Sequence, residues 1–280
     1  MGLNSFWQED VFLTVQGFQH QVQLLDVNPY FIIDTQKDFL IHLVPLNNHF
    51  TPKDLIQLQV SFQQENKQLI HLWEDVWHSK REQVLSRFYS FFGLNKGFHG
   101  RKAGIVELDI QQTSQFLNTY HLQGYVKSKY SFGLVNNSEI IAVASFSATR
   151  IMKSKNANYK SAELVRFASK DGVTIVGGLS KLIKHFLKQF ELNDLMTYAD
   201  RDWSLGKGYE KLNFQLSEKT EPLDLYVNTD TLIRYTPHRI PKNLLLAFKA
   251  QNILNLPDFL AANGFIKLFN TGNLKYHLYL

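Results

Sequence analysis

The stretch that decides the fold covers residues 161–214 and reads SAELVRFASKDGVTIVGGLSKLIKHFLKQFELNDLMTYADRDWSLGKGYEKLNF. Its segments 162–168 and 173–176 are short and rich in β-branched and aromatic residues, which predicts two strands. A third strand at 194–199 and a polar loop lead to a segment that contains a tyrosine, 209–214. Between the second and third strands, apolar residues recur at helical spacing and predict a helix with one apolar face: Leu179, Leu182, Ile183, Phe186, Leu187 and Phe190.

A pair of glycines, Gly177 and Gly178, stands where the predicted helix begins. The first backbone N–H groups of a helix lack partners within the helix, and the positive end of its dipole lies behind them. Because glycine has no β-carbon, an anion such as a phosphate can approach this backbone closely. Ser180 and Lys181 add a hydroxyl donor and a cation to the same turn. The alternative is that the two glycines form only a tight connection between strand and helix.

The order of these segments resembles the core of the GNAT superfamily of acyl-CoA-dependent N-acyltransferases. In that family, a glycine-rich turn at a helix N-terminus binds the pyrophosphate of coenzyme A. A later Tyr-Glu-Lys-Leu-Gly-Phe segment supplies a tyrosine that faces the thioester sulfur, and Tyr209 matches it. The resemblance implies acetyl-CoA or another acyl-CoA as cofactor. The residues that match the cofactor turn are Val176, Gly177, Gly178, Ser180 and Lys181.

The chain departs from the family pattern at two places. Asn213 stands where the family has a glycine, and asparagine also accepts a left-handed backbone conformation. The longer glycine-rich turn of the family is reduced here to the pair Gly177 and Gly178.

From about residue 101 to the C-terminus the chain is also similar to a GNAT-like domain of phage-encoded proteins. That domain often follows a nuclease domain and is distantly similar to the Mom DNA-modification protein. The similarity implies modification of an amine such as that of a nucleobase, or DNA handling with the fold kept for binding. The expected function is therefore an acyl-CoA-dependent N-acyltransferase, and the alternative is a catalytically inactive nucleic-acid-binding protein of phage or mobile-element type. The segments that carry the similarity are 118–125, a hairpin at 136–137, 163–167, 177–182 and 198–206.

Acyl transfer to an amine needs a base for the attacking nitrogen and an acid for the leaving thiolate. We expect Glu163 or Asp200 as the base and Tyr209 as the acid. The resemblance implies that His121 lies near the acceptor pocket, and the alternative is a hydrogen-bonded structural histidine. Asp200 belongs to the charged loop 200–202, which is either part of the site or solvated.

The first 98 residues have a separate character. The segment 72–77 with the basic helix behind it resembles the end of Vsr-like restriction-endonuclease domains. Such nucleases need paired carboxylates and a lysine to bind Mg²⁺ and orient water. The chain offers Asp34 and Asp38 without the acidic-x-Lys pair, so we expect a nuclease-like fold without its metal site. The elements predicted here are strands at 12–15, 21–26, 30–34, 39–44 and 68–73, with a helix from about residue 52.

Composition narrows the classes of protein further. The sequence has no cysteine, which excludes disulfides, thiolate nucleophiles and cysteine-based zinc sites, and its histidines lack metal-ligand spacing, so no metal centre is expected. No apolar run approaches a membrane span, so we expect a soluble cytoplasmic protein without a membrane partner. The net charge of +5 and the pI of about 9.1 favour polyanionic partners such as nucleic acid, besides the small-molecule acyl donor.

The expected architecture is α+β with two domains. The segment 93–102 holds three glycines and three cations without apolar periodicity, which predicts a linker. We therefore expect a degenerate endonuclease-like α/β domain at 1–98. A GNAT-like domain at 99–280 should contain a mixed sheet flanked by helices.

Within that second domain, the strands at Glu163 and Leu195 should splay apart. The helix that begins at Gly178 should pack behind them, and the cofactor should enter the gap between the strands. Lys181 is expected to face the gap, whereas the other lysines of this helix should be solvated.

Overall fold

The computed structural model describes residues 5–251 and 254–280, and its contacts divide the chain into two units. The first unit contains the chain up to residue 81 together with 200–205 and 220–273, and the second contains 82–199, 206–219 and 274–280. This division differs from the predicted boundary between residues 98 and 99. The reason is that side chains after residue 220 share a core with the N-terminal elements, as Val227 and Leu268 do with Val44 and Trp73.

The N-terminal part of the first unit is a mixed four-stranded sheet with helices. The strands lie in the order β1-β2-β3-β4, with antiparallel neighbours except for the parallel pair β3 and β4, which α2 connects. The strands predicted at 30–34, 39–44 and 68–73 and the helix from residue 52 are confirmed. The elements are α1 (Phe6–Phe18), β1 (Gln23–Val27), β2 (Tyr30–Asp34), β3 (Phe39–Val44), α2 (Pro52–Gln64), β4 (Gln68–Trp73) and α3 (Glu74–Ser79).

The predicted strand at 12–15 is wrong, because these residues belong to α1. The β-branched and aromatic residues of this segment favour a strand locally. Trp7, Val11 and Val15 follow one another at intervals of four residues, and all three are buried. This spacing places them on one face of a helix, and burial of that face outweighs the local preference.

The second unit contains a mixed sheet flanked by helices, so the predicted α+β class is confirmed. Its strands lie in the order β13-β17-β12-β10-β8-β7-β6, with β9 paired to β10 and a separate pair formed by β5 and β11. The elements are α4 (Arg81–Phe91), β5 (Lys96–His99), β6 (Gly104–Glu107), α5 (Ile110–Tyr120), β7 (Tyr130–Asn136), β8 (Glu139–Phe146), β9 (Arg150–Ile151), β10 (Lys160–Ser169), β11 (Val173–Val176), α6 (Gly178–Leu187), β12 (Asp194–Asp200), α7 (Lys207–Glu210), β13 (Gln215–Lys219) and β17 (Asn273–Tyr279).

The remaining elements belong to the first unit and form a second, smaller sheet with two helices. Its strands lie in the order β15-β14-β16, with antiparallel pairing throughout. These elements are β14 (Asp224–Asn228), β15 (Arg234–Tyr235), α8 (Lys242–Lys249), α9 (Leu256–Ala262) and β16 (Phe265–Phe269). Among the described residues, no helix has the length and apolar character needed to cross a membrane.

Helix α6 packs on the sheet of the second unit through its apolar stripe, as predicted. Leu182, Ile183 and Phe186 are buried, and the ring of Phe186 stacks on that of Phe146 with centroids 4.1 Å apart. The other three apolar residues of the stripe are partly buried against the same core. Lys184 and Lys188 are exposed. The amphipathic pattern therefore fixed the orientation of this helix.

The segment 93–102 is not a linker. Its residues 96–99 form β5, which pairs in parallel with β11. Gly100 follows, and a β-carbon there would lie 2.9 Å from the backbone N and Cα atoms of Gly178. The glycine therefore permits close approach of two backbone segments, and the segment is part of the second unit.

Candidate functional site

The two parallel strands β10 and β12 diverge halfway along their length. Their pairing runs from Ser161 opposite Asp194 to Leu164 opposite Thr197. Beyond these pairs β10 continues to residue 169 and β12 to residue 200. The sequence predicted this divergence. A gap between parallel strands is a place where an extended molecule can pair with strand backbone.

A β-bulge lies in β10 at the point of divergence. The register with β8 passes from Leu164 opposite Phe146 to Arg166 opposite Ser145, so Val165 is the extra residue. The extra residue of a bulge stands outside the ladder. The carbonyl of Val165 accepts a hydrogen bond from Nη1 of Arg166 at 2.9 Å.

The N-terminus of α6 lies at the edge of the sheet where β10 ends. A chain that joins two parallel strands must return from the end of the first to the start of the second, and α6 makes this return. The first residue of α6, Gly178, lies against Leu134, because a β-carbon on Gly178 would be 3.0 Å from its Cδ1 atom. Leu134 pairs with Ala142, which pairs with Ser169, the last residue of β10.

Gly177 is the N-cap residue of α6 and adopts a left-handed conformation with φ of +71°. Glycine offers no side chain to the first-turn N–H groups of the helix, whereas Thr51 and Asp109 cap α2 and α5 through capping boxes. A β-carbon on Gly177 would have no atom within 4 Å, and Val176 is 54% exposed. This helix N-terminus is therefore open to an anion.

The two glycines of the turn have different surroundings. A β-carbon on Gly178 would lie 2.6 Å from Cγ2 of Ile175, so the space around Gly178 is filled by protein. Gly177 faces the open side of the turn, and Ser180 is half-buried in the first turn of the helix. The open face therefore runs from Val176 to Gly177.

Lys181 does not face the gap. Its ammonium group donates hydrogen bonds to the carbonyls of Gly100 at 3.2 Å, Arg101 at 3.4 Å and Ala103. An ammonium group has three N–H donors, so these carbonyls use all of them. We therefore assign Lys181 to holding the short 3-10 turn Gly100–Lys102 against α6, and not to direct contact with a phosphate.

Tyr209 lies on the short helix α7, and its side chain interacts with that of Thr197 at the fork between β10 and β12. Thr197 is buried, and its hydroxyl donates to the carbonyl of Leu164 at 3.0 Å. Burial raises the pKa of the Tyr209 hydroxyl above its usual value, so the group is protonated at neutral pH. Asn213, which follows α7, has the expected left-handed conformation, with φ of +66°.

Glu163 lies one residue before the fork and points to the sheet face opposite to Leu164. Its backbone N–H donates to the hydroxyl of Ser147 at 2.9 Å, and its carbonyl accepts from the N–H of Ser147 at the same distance. Burial raises the pKa of the Glu163 carboxyl group, while the charges of Arg150 and Arg166 act in the opposite direction. A half-buried carboxylate with a raised pKa is a stronger base than a solvated one.

His121 caps the C-terminal end of α5 and is not placed to act as a base. Burial and the charges of Arg166 and Arg87 lower the pKa of His121 to about 3, so the imidazole is neutral at pH 7. Its Nδ1 atom accepts a hydrogen bond from the N–H of Gln123 at 3.1 Å. The ring proton therefore sits on Nε2, which donates instead of accepting. We assign His121 to structure, the alternative that the sequence left open.

Asp200 is the last residue of β12 and is grouped by its contacts with the first unit. Its Oδ1 atom accepts a hydrogen bond from the N–H of Asp202 at 3.0 Å, and its carbonyl accepts from Trp203 and Ser204. This is the pattern of an aspartate that holds a turn. We assign Asp200 to this turn, which leaves Glu163 as the candidate base.

Sequence reasoning missed Arg166, Arg87, Arg150 and Thr197. Of these four residues, Arg166 is the one whose charge lowers the pKa values of Glu163, His121 and Tyr209 together. Its position directly after the bulge depends on the register between β10 and β8, which no local pattern reveals. Within the described parts of the chain, no three side chains of His, Asp or Glu gather closely enough to hold a metal ion.

Comparisons with solved structures find acetyltransferases. A GNAT family acetyltransferase from Elizabethkingia anophelis with acetyl-CoA bound is 12% identical, with 64% of this chain and 99% of that chain covered and a TM-score of 0.36. A Bacillus subtilis acetyltransferase in complex with CoA has the same identity, the same two coverages and the same TM-score. N-acetylglutamate synthase from Neisseria gonorrhoeae, complexed with coenzyme A and N-acetyl-glutamate, is 11% identical. The match covers 85% of this chain and 50% of that chain, with a TM-score of 0.37. No family model and no curated protein matches the chain.

Proposed function

We propose that the protein is an acyl-CoA-dependent N-acyltransferase that acts on an amine acceptor. The observation that carries this proposal is the divergence of β10 from β12 after Leu164 and Thr197, with Glu163 one residue before the fork and the Tyr209 side chain interacting with Thr197. A gap between two parallel strands suits an extended chain such as the pantetheine arm of an acyl-CoA, which can pair with strand backbone. Acetyl-CoA is the simplest donor of this kind.

The open N-terminus of α6 is proposed to hold the pyrophosphate of the donor. The first-turn N–H groups of α6 lie at the positive end of the helix dipole, and the N-cap Gly177 has no side chain that could accept from them. Ser180 can add a hydroxyl donor from the same turn. The crossover from β10 to β12 supports this assignment, because α6 begins at the sheet edge toward which the gap opens.

Glu163 and Tyr209 are proposed to move the protons of the reaction. As the amine nitrogen attacks the thioester carbonyl carbon, Glu163 takes the proton of the amine, directly or through water. The N–H of the bulged Val165 donates to the oxygen that becomes negative. Tyr209 then gives its proton to the sulfur as the carbon–sulfur bond breaks. The products are an N-acyl amide and free coenzyme A.

Titration calorimetry with acetyl-CoA tests the proposal, and the chain offers a matched pair of variants. Gly177→Ala and Gly172→Ala both place a methyl group on a left-handed residue with open surroundings, so both carry the same backbone strain. Only Gly177 caps α6. We expect Gly177→Ala to weaken acetyl-CoA binding about tenfold and Gly172→Ala to leave it unchanged. Absence of acetyl-CoA binding to the unmodified protein at millimolar ligand would contradict the proposal.

A second candidate function is nucleic-acid binding, and the charge of the second unit favours it. This unit carries nineteen Lys and Arg against ten Asp and Glu, a net charge of +9, whereas the first unit has a net charge of −4. A protein that contacts phosphates through basic side chains loses affinity steeply as salt concentration rises. Gel-shift titrations with duplex and single-stranded DNA over a salt series test this candidate, and a flat response would count against it.

For the first unit we propose a nuclease-like domain without a working metal site. The candidate carboxylate Asp34 accepts hydrogen bonds from Nζ of Lys67 and from the N–H of Gln36, both at 2.9 Å. These contacts occupy one lone pair on each carboxylate oxygen. A cleavage assay with supercoiled DNA and Mg²⁺ tests the proposal, and metal-dependent cleavage would refute it.

A further inference from the structure

Two arginines share the sheet face on which the Glu163 carboxylate lies. Arg150 on β9 pairs with Ser161 on β10, and paired residues of antiparallel strands point to the same face. Ser161 and Glu163 are two residues apart on β10 and therefore also share that face. After the bulge, Arg166 pairs with Ser145, and its side chain lies on this face again. The pair of Ala168 and Val143, two residues further along each strand, packs against α5 on the same side.

Arg166 is held in place by backbone carbonyls. Its Nε atom donates to the carbonyl of Gly124 at 3.3 Å and its Nη1 atom to the carbonyl of Val165 at 2.9 Å. Gly124 closes the turn after α5 through a hydrogen bond to the carbonyl of His121 at 2.8 Å. The hydrogen bonds to the carbonyls of Gly124 and Val165 fix the position of the guanidinium group.

A third arginine, Arg87, approaches the same region from α4. The Nε2 atom of Gln83 donates to the carbonyls of Asn118 at 3.1 Å and Thr119 at 2.9 Å, so this face of α4 lies at the C-terminal end of α5. Arg87 is one helical turn further along the same face. Its charge acts on His121, which follows α5 directly.

We propose that the acceptor amine carries an anionic group, a phosphate or a carboxylate, that Arg150 and Arg166 bind on the face of Glu163. The inference rests on the proposed function, because it places the acceptor amine at Glu163. Arginine binds both kinds of anion through paired N–H groups, which fixes the orientation of the molecule as well as its position. Orientation of the anion then sets the distance between the amine and Glu163.

The same charges disfavour acceptors without an anion. A simple alkylamine or a polyamine is cationic at neutral pH, and three guanidinium groups repel it. An acceptor with a phosphate or carboxylate cancels this repulsion. The charge cluster therefore selects the acceptor.

Titration calorimetry in the presence of saturating coenzyme A tests this inference, because the donor site is then filled. The probes are O-phosphoethanolamine, β-alanine and ethanolamine, which carry a phosphate, a carboxylate and no anion. We expect one or both anionic amines to bind at least about tenfold more tightly than ethanolamine. The stronger of the two anionic probes identifies the preferred anion.

Variants assign the binding to the arginines. Arg150→Gln and Arg166→Gln should each weaken binding of the preferred anionic amine about tenfold, and Lys184→Gln on the solvated face of α6 should not change it. Arg150 is exposed, so its replacement leaves the core intact. Equal binding of all three amines, or anion binding that survives both arginine variants, would overturn the inference while acetyl-CoA binding stands. Failure to bind acetyl-CoA would instead overturn the proposed function and the inference with it.

Discussion

The side chains of Tyr209 and Thr197 interact at the point where β10 and β12 part. Thr197 also donates to the carbonyl of Leu164 at 3.0 Å, so the tyrosine is connected to both strands of the fork. A protonated phenol in this position can supply a proton to a group that leaves between the strands.

Tyr209→Phe removes this proton and keeps the ring. We expect kcat for the best acceptor in a panel of amines to fall about a hundredfold, because general acid catalysis contributes an effect of this order. The dissociation constant for acetyl-CoA should change by no more than about twofold, because a group that acts only in the transition state adds little ground-state binding. Thiol release gives kcat, and calorimetry gives the dissociation constant. Equal losses in both quantities would assign Tyr209 to binding.

Glu163→Gln tests the base. Because burial raises the pKa of Glu163 above 4.5, the basic carboxylate is lost as pH falls through a value higher than that of a solvated glutamate. We expect kcat/KM of the unmodified protein to decline on the acid side, and Glu163→Gln to lower it about a hundredfold and remove that decline. Glu191→Gln is the control, since the Glu191 side chain is 97% exposed. An acid limb that persists in Glu163→Gln would point to another base.

Gly206→Ala should destabilise the second unit. Gly206 has φ of +75°, and a β-carbon there would overlap the hydroxyl of Tyr276. Strain and overlap together should lower the free energy of unfolding by about 2 kcal/mol. Gly208→Ala is the control two residues further along, where a β-carbon meets no atom within 4 Å. Urea unfolding measures both, and equal stability of the two variants would contradict the packing described around Tyr276.

The buried pair His42 and His71 should make the first unit sensitive to acid. Their Nδ1 atoms are 3.0 Å apart, and Nε2 of His71 donates to the carbonyl of Leu55 at 3.2 Å. Burial lowers both pKa values, that of His71 from 6.5 to about 3. At a pH between 6.5 and about 3, the unfolded chain binds protons at these histidines and the folded chain does not. The free energy of unfolding therefore falls as pH drops from about 6.5.

The slope of the free energy of unfolding against pH measures this effect. Each histidine contributes at most about 1.4 kcal/mol per pH unit to the free energy of unfolding. Urea unfolding at pH 7, 5.5 and 4 should therefore show a steeper loss for the unmodified protein than for the double variant with His42→Leu and His71→Leu. Identical slopes would show that the two histidines do not titrate on unfolding.

Much of the fold follows from local patterns, and the exceptions have physical causes. Helix α6 was predictable because its apolar residues recur at helical spacing, and β10 was predictable because its segment is short and rich in β-branched and aromatic residues. Helix α1 was not, because its β-branched residues favour a strand and only burial of the face with Trp7 and Val11 decides for a helix. The segment 93–102 looks like a linker because it is rich in glycine and lacks apolar periodicity, whereas Gly100 serves close backbone packing against Gly178.

The site was predictable only in part. Glu163, Gly177 and Tyr209 were predictable because the order of their segments along the chain resembles that of a known acyltransferase core. Arg166 does not, because its place in the site depends on a bulge and on the pairing of strands. Lys181 shows the converse, since a lysine in the first turn of a helix suggests a phosphate contact and its actual partners are backbone carbonyls far away in sequence.

The central claim is that coenzyme A binds with its pyrophosphate at the N-terminus of α6. Titration of the isotope-labelled protein with coenzyme A, followed through backbone amide resonances, tests it most directly. We expect the largest saturable shifts at the amides of Val176, Gly177 and Gly178, with smaller shifts along the diverging ends of β10 and β12. Shifts confined to other parts of the chain, or no saturable shift at millimolar coenzyme A, would contradict the account.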